Sequence, residues 1–355
     1  MKITFLSCLS SHCGIGRYTE ELAAAVNSKD SHIQLFRKNP GKETYVHAFP
    51  HRSFRNLKHV VAPYYLKKTL QTTDSEVWHA DNIDAFTALL WSGKGKSKRK
   101  VVTIHDAIPL LYPHTSWLNT KVFRYQIKKA AEYADNIVTV SHTSKKDLIE
   151  KVGIKDEKIK VAYNGISHKT LFPLEKKPKH ARFNIRYIGG LGAVHKNATA
   201  LIEIARILKA ENFEFDLEIG SGNADRTVLP DLVKKYKLEK NVHFRGFIPD
   251  TQLRQFLGEA DVFLYPSLYE GFGFPPLEAM ACGTAVISSD TGSLAEILQK
   301  GAILCPPTPE TMAQAVINLA EKPNLKTRLE NEAVENAAQF SWEKTAEEMF
   351  QIYQL

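Results

Sequence analysis

Along most of the chain a short β-branched or aromatic run gives way to a turn, and then to apolar residues at helical spacing. In the first half such strand-like runs fall at 3–8, 32–36, 77–79, 101–104 and 136–140, with a short one at 159–161. Helical spacing occupies 16–27, where Tyr18, Leu22, Ala25 and Val26 recur, and also 118–133 and 143–151. The pattern breaks over 164–182, which holds Asn164-Gly165, Phe172-Pro173 and Lys176-Lys177-Pro178-Lys179. Turn chemistry followed by a charged, Pro-containing run reads as a linker. The alternation then restarts, with strands at 183–188, 215–219, 241–244, 261–265 and 284–288 and helices at 198–209, 227–237, 251–258 and 276–282. Further segments follow at 293–298, 302–304, 309–320 and 325–339, and Ser341 is placed to N-cap a closing helix.

Two blocks of alternating strands and helices predict an α/β protein with two doubly wound parallel sheets. The expected division is 1–165, a linker over 166–182, a second domain over 183–339, and a closing helix, 340–355, for which a return to the first domain is one placement. Such sheets take ligands outside the carboxyl ends of their strands. Two of them facing each other would form a cleft, and the active site is expected there.

Composition agrees with this division. A chain of 355 residues fits two domains of ordinary size. With 43% hydrophobic and 24% charged residues, it is neither a disordered nor a collagen-like chain. No uncharged apolar run approaches the roughly 20 residues that span a bilayer. The opening stretch resembles a weak signal peptide, but it reads better as a buried first strand, since Gly-x-Gly and an amphipathic helix follow. The four cysteines, Cys8, Cys13, Cys282 and Cys305, show no CxxC spacing and are not a disulfide framework, so a reducing, cytoplasmic location is expected. Charge is uneven: residues 1–170 hold 27 Lys and Arg against 15 Asp and Glu, and the rest 20 against 24. The basic half suits phosphorylated material or anionic lipid, or is simply a solvated surface.

Several short motifs could carry chemistry. Gly14-Ile15-Gly16-Arg17 stands at the entry to the first helix, where glycine lets a ligand approach the backbone and the helix dipole favours an anion. A dinucleotide fingerprint is incomplete, because Thr19 replaces its third Gly and the ribose-acid region is the basic Phe36-Arg37-Lys38. A plain tight turn is the other reading. Gly93-Lys94-Gly95-Lys96-Ser97 lacks the first P-loop glycine, with Leu90 in its place, and reads as a basic surface loop. His105-Asp106 follows a strand and could bond a sugar hydroxyl or move a proton, or could form a local turn with Asp106 as its cap. His79, after Val77-Trp78, reads as strand-end packing. Lys196 precedes a helix whose dipole disfavours a cation, which argues for a phosphate partner over a lysine at a helix entry. Glu270 and Glu278 flank the turn Gly271-Phe272-Gly273-Phe274-Pro275-Pro276, whose N–H groups could meet a diphosphate while the acids accept from sugar hydroxyls. Both could equally be ordinary turn and helix acids. No metal-ligand spacing occurs, so no metal site is expected.

The stretch EGFGFPPLEAMACGTAVISSDTGSLAEI resembles the E-x7-E signature of retaining glycosyltransferases of the family 4 type. HCGIGRYTEELA, VVTIHDAIPLLYP, DNIVTVSHTSKKDL, KIKVAYNGIS, YIGGLGAVHKNATALI and NVHFRGFIPDTQLRQFLGEADVFLYPSLYEGFGFP are similar to further blocks of that family, so the resemblance covers nearly the whole chain. It implies the GT-B fold, two Rossmann-like domains facing across a cleft, with the acceptor on the first and the nucleotide sugar on the second. By the same resemblance Glu270 bonds the donor sugar, Glu278 the ribose and Lys196 the diphosphate. The backbone of Gly271, Phe272, Gly273 and Phe274 meets phosphate or sugar, Gly16 approaches the phosphates and His105 contacts the transferred sugar. Many relatives carry Arg where this chain has Gly190 and His195, which leaves the second phosphate cation open, with Arg17 as the candidate.

The implied activity is retaining, metal-independent hexosyl transfer without a cofactor. The donor is a nucleotide sugar, and the blocks look most like mannosyltransferases that use GDP-mannose, with a UDP-sugar as the alternative. The acceptor is a glycan or lipid-linked molecule of polysaccharide or lipopolysaccharide synthesis, at the inner face of the cytoplasmic membrane, where the basic half could bind peripherally. No nucleic-acid partner is expected. An epimerase or phosphorylase of the same fold, or a non-catalytic nucleotide-sugar-binding protein, is the competing reading.

Overall fold

The computed structural model describes residues 1–9, 14–27, 32–37, 43–49, 58–94, 98–112 and 117–355. These form two compact units, Met1–Gly165 with Trp342–Leu355, and Ile166–Ser341. The stretch 166–182, read from sequence as a linker, therefore groups with the second unit, and the closing helix groups with the first.

The first unit carries seven strands: β1 (Lys2–Leu6), β2 (His32–Arg37), β3 (Val46–Ala48), β4 (Val77–Ala80), β5 (Arg99–Thr103), β6 (Asn136–Thr139) and β7 (Ile159–Val161). They pair in parallel in the order β3-β2-β1-β4-β5-β6-β7. The second unit carries β8 (Phe183–Ile188), β9 (Phe215–Gly220), β10 (Val242–Gly246), β11 (Val262–Tyr265), β12 (Val286–Ser289) and β13 (Ala302–Cys305), parallel in the order β10-β9-β8-β11-β12-β13. In each sheet the chain works outward one way and then returns to work outward the other way. The reversal falls between β1 and β4 in the first and between β8 and β11 in the second. Adjacent connections leave opposite faces at such a point, which opens a crevice at the strands' carboxyl ends.

Central strands are buried on both faces and are largely apolar, β11 without interruption. Phe5, Trp78, Phe86 and Ile137 are fully buried in the first unit, as are Tyr187, Phe215, Phe263 and Tyr265 in the second. The closing helix, Trp342–Gln354, buries Trp342, Ala346, Met349, Ile352 and Tyr353 and begins at the residue after Ser341. Arg99 donates to the Tyr353 carbonyl and Lys100 pairs with Asp135 at 3.2 Å, so part of the basic run 94–100 is committed to the fold.

Several sequence boundaries shift. Strand β3 and the helices Lys58–Thr69 and Ile83–Ser92 were not foreseen. The first of these helices contains Pro63, which ordinarily argues against a helix interior. The second is capped by Asn82, whose side chain accepts from Ala85 N at 2.9 Å, and ends at Gly93 in the left-handed region. Gly93 thus closes a helix, whereas a P-loop glycine leads into one. The predicted helix 143–151 is a short α-helix, His142–Asp147, that widens into a π-turn, Leu148–Val152. Cys13 and residues 95–97 lie outside the described residues; Cys8, Cys282 and Cys305 are buried. No helix among the described residues is long and apolar enough to cross a membrane.

Candidate active site

In the second unit the switch point brings the loop after β8 against the loop after β11. The first ends in the single turn Val194–Lys196 and passes through Asn197, whose φ of 51° is left-handed, into the helix Ala198–Ala210. Asn adopts that conformation more readily than most residues, and Asn197 Nδ2 reaches across to donate to Pro266 O at 3.1 Å and Pro307 O at 3.3 Å. Leu268 N donates to His195 O at 2.7 Å, which ties the two loops together again.

These ties bring Lys196 onto Glu270. Lys196 Nζ stands 2.8 Å from Glu270 Oε1, 2.9 Å from Oε2 and 3.2 Å from Tyr265 Oη. Oε1 also accepts from Tyr265 Oη at 2.9 Å and Ser267 Oγ at 2.6 Å. Burial and the neighbouring carboxylate push the Tyr265 phenol well above its ordinary value, so it stays a donor. A largely buried carboxylate is costly unless paired and hydrogen-bonded, and Glu270 is both. Its backbone is fixed as well: Glu270 O accepts from Ser293 N at 3.2 Å and Ser293 Oγ at 3.0 Å. Gly292, at φ 58°, permits this approach, because a Cβ there would stand 2.9 Å from Glu270 N.

Sequence reading starts the next helix at Pro276, with 271–274 as a loop. The structure starts it at Phe274 and ends it at Ala281. Gly273 caps it at φ 98°, where a Cβ would meet Leu294 Cδ2 at 2.6 Å, so only glycine makes the turn. Pro275 and Pro276 have no N–H, which leaves Gly273 and Phe274 as the donors at this helix end. Gly271 and Phe272 precede it; the Phe272 ring is buried between Phe274 and Phe340, at centroid distances of 5.3 and 5.9 Å. Glu278 is within the helix, 4% exposed.

The first unit has its own switch point. The helix Gly14–Asn27 begins two residues before the sequence estimate, which places Gly16 and Arg17 in its first turn. Thr19 Oγ1 donates to Asp81 Oδ2 at 2.6 Å, just past the end of β4, and Asn82 Nδ2 donates to Asp81 Oδ1 at 2.7 Å. Burial pushes the Asp81 carboxyl up to about 7, against hydrogen bonds from Ser7 and Thr19 that pull the other way. His105 Nε2 is 3.0 Å from Asp81 O, and its ring meets Tyr18 edge-on at 4.8 Å. Burial holds His105 down at about 4. His79 is strand-end packing, as expected: Nδ1 is 2.6 Å from Tyr353 Oη, Nε2 is 2.8 Å from Thr103 Oγ1, and burial lowers it to about 3. Asp106 takes the local role, with Oδ1 accepting from Ile108 N at 2.9 Å.

Sequence reasoning named Lys196, Glu270 and His105 but missed Tyr265, Ser267, Ser293, Thr19 and Asp81. Asp81 had a signal, since it follows a strand as His105-Asp106 does. The others are ordinary strand, loop and helix residues until the sheet order brings them in.

The chain matches the Glycosyltransferase Family 4 family over residues 13–170 and the Glycosyl transferases group 1 family over residues 175–336. It is 30% identical over 238 residues to the O-antigen chain mannosyltransferase RfbU of Salmonella typhimurium, a match that takes in 66% of this chain and 64% of that protein's length. Among solved structures it resembles a sucrose-phosphate synthase from Thermosynechococcus elongatus, at 21% identity and a TM-score of 0.84, covering 100% of this chain and 98% of the other. It also resembles Anabaena Alr3699/HepE in complex with UDP-glucose, at 18% identity and a TM-score of 0.80, covering 100% of both chains. Two parallel Rossmann-like sheets, matched along nearly their whole length by these two families, make the chain a member of the group 1 and family 4 glycosyltransferases, of GT-B fold.

Proposed function

We propose that this protein transfers a hexose, mannose from GDP-mannose, with retention of configuration, to a glycan or lipid-linked acceptor of O-antigen or polysaccharide synthesis. The observation that carries the reading is the Lys196–Glu270 pair at the β8–β11 switch point. A nucleotide sugar presents a diphosphate anion and hydroxyl donors together. The diphosphate takes Lys196 from Glu270, and the sugar hydroxyls take the place of Lys196 on the carboxylate, so each partner is exchanged and neither is left bare. As the glycosidic bond to the diphosphate breaks, negative charge grows on the leaving oxygen. Lys196 and the helix end at Gly273 and Phe274 are the groups to stabilise it. In front-face attack the acceptor oxygen bonds the anomeric carbon and gives its proton to the leaving diphosphate, so Glu270 need not act as nucleophile. Glu278 bonds the ribose; the backbone of 271–274, Gly16 and Arg17 meet the phosphates, and His105 bonds the transferred sugar. No metal or cofactor is assigned a step. The mannosyl assignment draws on similarity to the Salmonella mannosyltransferase.

The test is a thermal-shift panel of nucleotides and nucleotide sugars, followed by transfer to lipid-linked glycans with the anomer read by NMR. Ligand at 100 times its Kd stabilises by about 2.7 kcal/mol. Protection by GDP-mannose with an α-linked product is expected; protection by UDP-sugars alone would move the donor to that class.

A further inference from the structure

Asp81 joins three separate pieces of the first unit. Its N–H donates to Leu6 O of β1 at 2.9 Å. Its carboxyl holds Thr19 of the first helix and Asn82, and Asn82 in turn caps the helix Ile83–Ser92. Its carbonyl takes His105, after β5. A carbonyl oxygen only accepts, so the hydrogen at 3.0 Å belongs to His105 Nε2. A neutral ring carries one N–H, and burial keeps this ring neutral, which leaves Nδ1 with a lone pair. Among the described residues no hydrogen bond to that Nδ1 is present.

We propose that Asp81 is a positioning residue, fixing His105 in the Nε2–H tautomer so that Nδ1 accepts a hydroxyl of the sugar substrate. This deepens the glycosyl-transfer reading and rests on it for the identity of the hydroxyl. His105 then acts as a hydrogen-bond acceptor that selects sugar orientation, and is neither a cation for the phosphates nor a proton donor. Substituting Asn at 81 keeps the volume but turns one carboxylate oxygen into an N–H2 group facing Thr19 or Asn82, so one donor loses its acceptor and the 81–82 segment shifts. His105 then loses its fixed partner.

The experiment is ¹⁵N-histidine NMR of the whole protein at pH 7, with His105 assigned by substitution, alongside transfer kinetics of wild type and Asp81→Asn. Wild type should show a neutral Nε2–H ring, and GDP-mannose should move its Nδ1 resonance. Asp81→Asn should show mixed tautomers and a kcat/KM lower by roughly 10- to 100-fold, the scale of a misplaced contact group, with an unfolding midpoint no lower than wild type. Thr19→Val, which cuts the same anchor from the other side, should give the same mixture and decides the matter if Asp81→Asn does not fold. An Nδ1–H or charged ring in wild type, an unmoved Nδ1 during productive GDP-mannose turnover, or a wild-type ring spectrum in both variants would overturn the proposal. The ring spectrum is read without turnover: an Nε2–H ring in a protein that transfers no sugar counts against the transferase reading and for the tautomer.

Discussion

Lys196 and Glu270, 74 residues apart in sequence, form a two-contact ion pair, with Nζ at 2.8 and 2.9 Å from the two carboxylate oxygens. The two groups read from sequence as separate binders of phosphate and sugar thus stand paired with each other. Tyr265 and Ser267 both donate to Glu270 Oε1, so the carboxylate has partners besides Lys196.

Glu278, buried in the helix Phe274–Ala281, is proposed to bond the ribose. Glu278→Ala removes a hydrogen bond to a charged group, worth about 1.5–3 kcal/mol, or roughly 10- to 150-fold. The loss should appear in calorimetry as weaker binding of the free nucleoside diphosphate. Unchanged affinity would return Glu278 to a role in helix packing.

Gly292 sets where Glu270 lies. Gly292→Ala places a Cβ 2.9 Å from Glu270 N at a positive φ, a strain of about 1–3 kcal/mol. Urea unfolding should show that loss, and transfer should fall with it although residue 292 carries no functional group. A fully active Gly292→Ala protein would show that the Glu270 backbone position is not critical.

Asp81 gives a pH signature with a defined sign. Its folded-state value, about 7, lies above the ordinary 3.8, so its contribution to stability is full below about pH 4 and is lost as pH rises toward 7. Three pH units correspond to up to about 4 kcal/mol. His79 and His105, lowered to about 3 and 4, run the other way and lose stability as pH falls below the ordinary 6.5. The difference between Asp81→Asn and wild type isolates the first term. Unfolding free energies measured from pH 4.5 to 7.5 should move steadily in favour of the variant as pH rises; a difference independent of pH would contradict the buried, raised carboxyl.

The helix Trp117–Tyr133 exposes Lys121, Arg124, Tyr125 and Lys128, spaced to share one side. Basic residues near an anionic bilayer contribute about 1 kcal/mol each. Sedimentation with anionic liposomes should exceed that with neutral ones, weaken with salt, and drop for a Lys121→Glu, Lys128→Glu double variant. Equal recovery with both liposomes would remove the membrane from the account.

The alternation of strands and helices was legible because most strands stand out as short, largely apolar runs between turns; β3, a three-residue strand that is not buried, did not. Glu270, Glu278 and Lys196 could be singled out as candidates because they stand in or beside glycine-rich turns. Their pairing was not legible, since it depends on β8 lying beside β11, a fact of sheet order rather than of local pattern. The same holds for Thr19 and Asp81, joined only because β1 lies beside β4. Helix Lys58–Thr69 was hidden by Pro63, and helix Phe274–Ala281 was placed late because residues before proline avoid the helical region, a bias that the Gly273 turn overrides here.

Calorimetric titration of GDP, with UDP in parallel, into wild type and Glu270→Gln tests the exchange of Lys196 most directly. Removing the competing carboxylate charge frees Lys196 for the diphosphate, so Glu270→Gln should bind it more tightly, by about 5-fold for a pair worth about 1 kcal/mol, while losing sugar transfer. Equal or weaker diphosphate binding by Glu270→Gln would contradict the account.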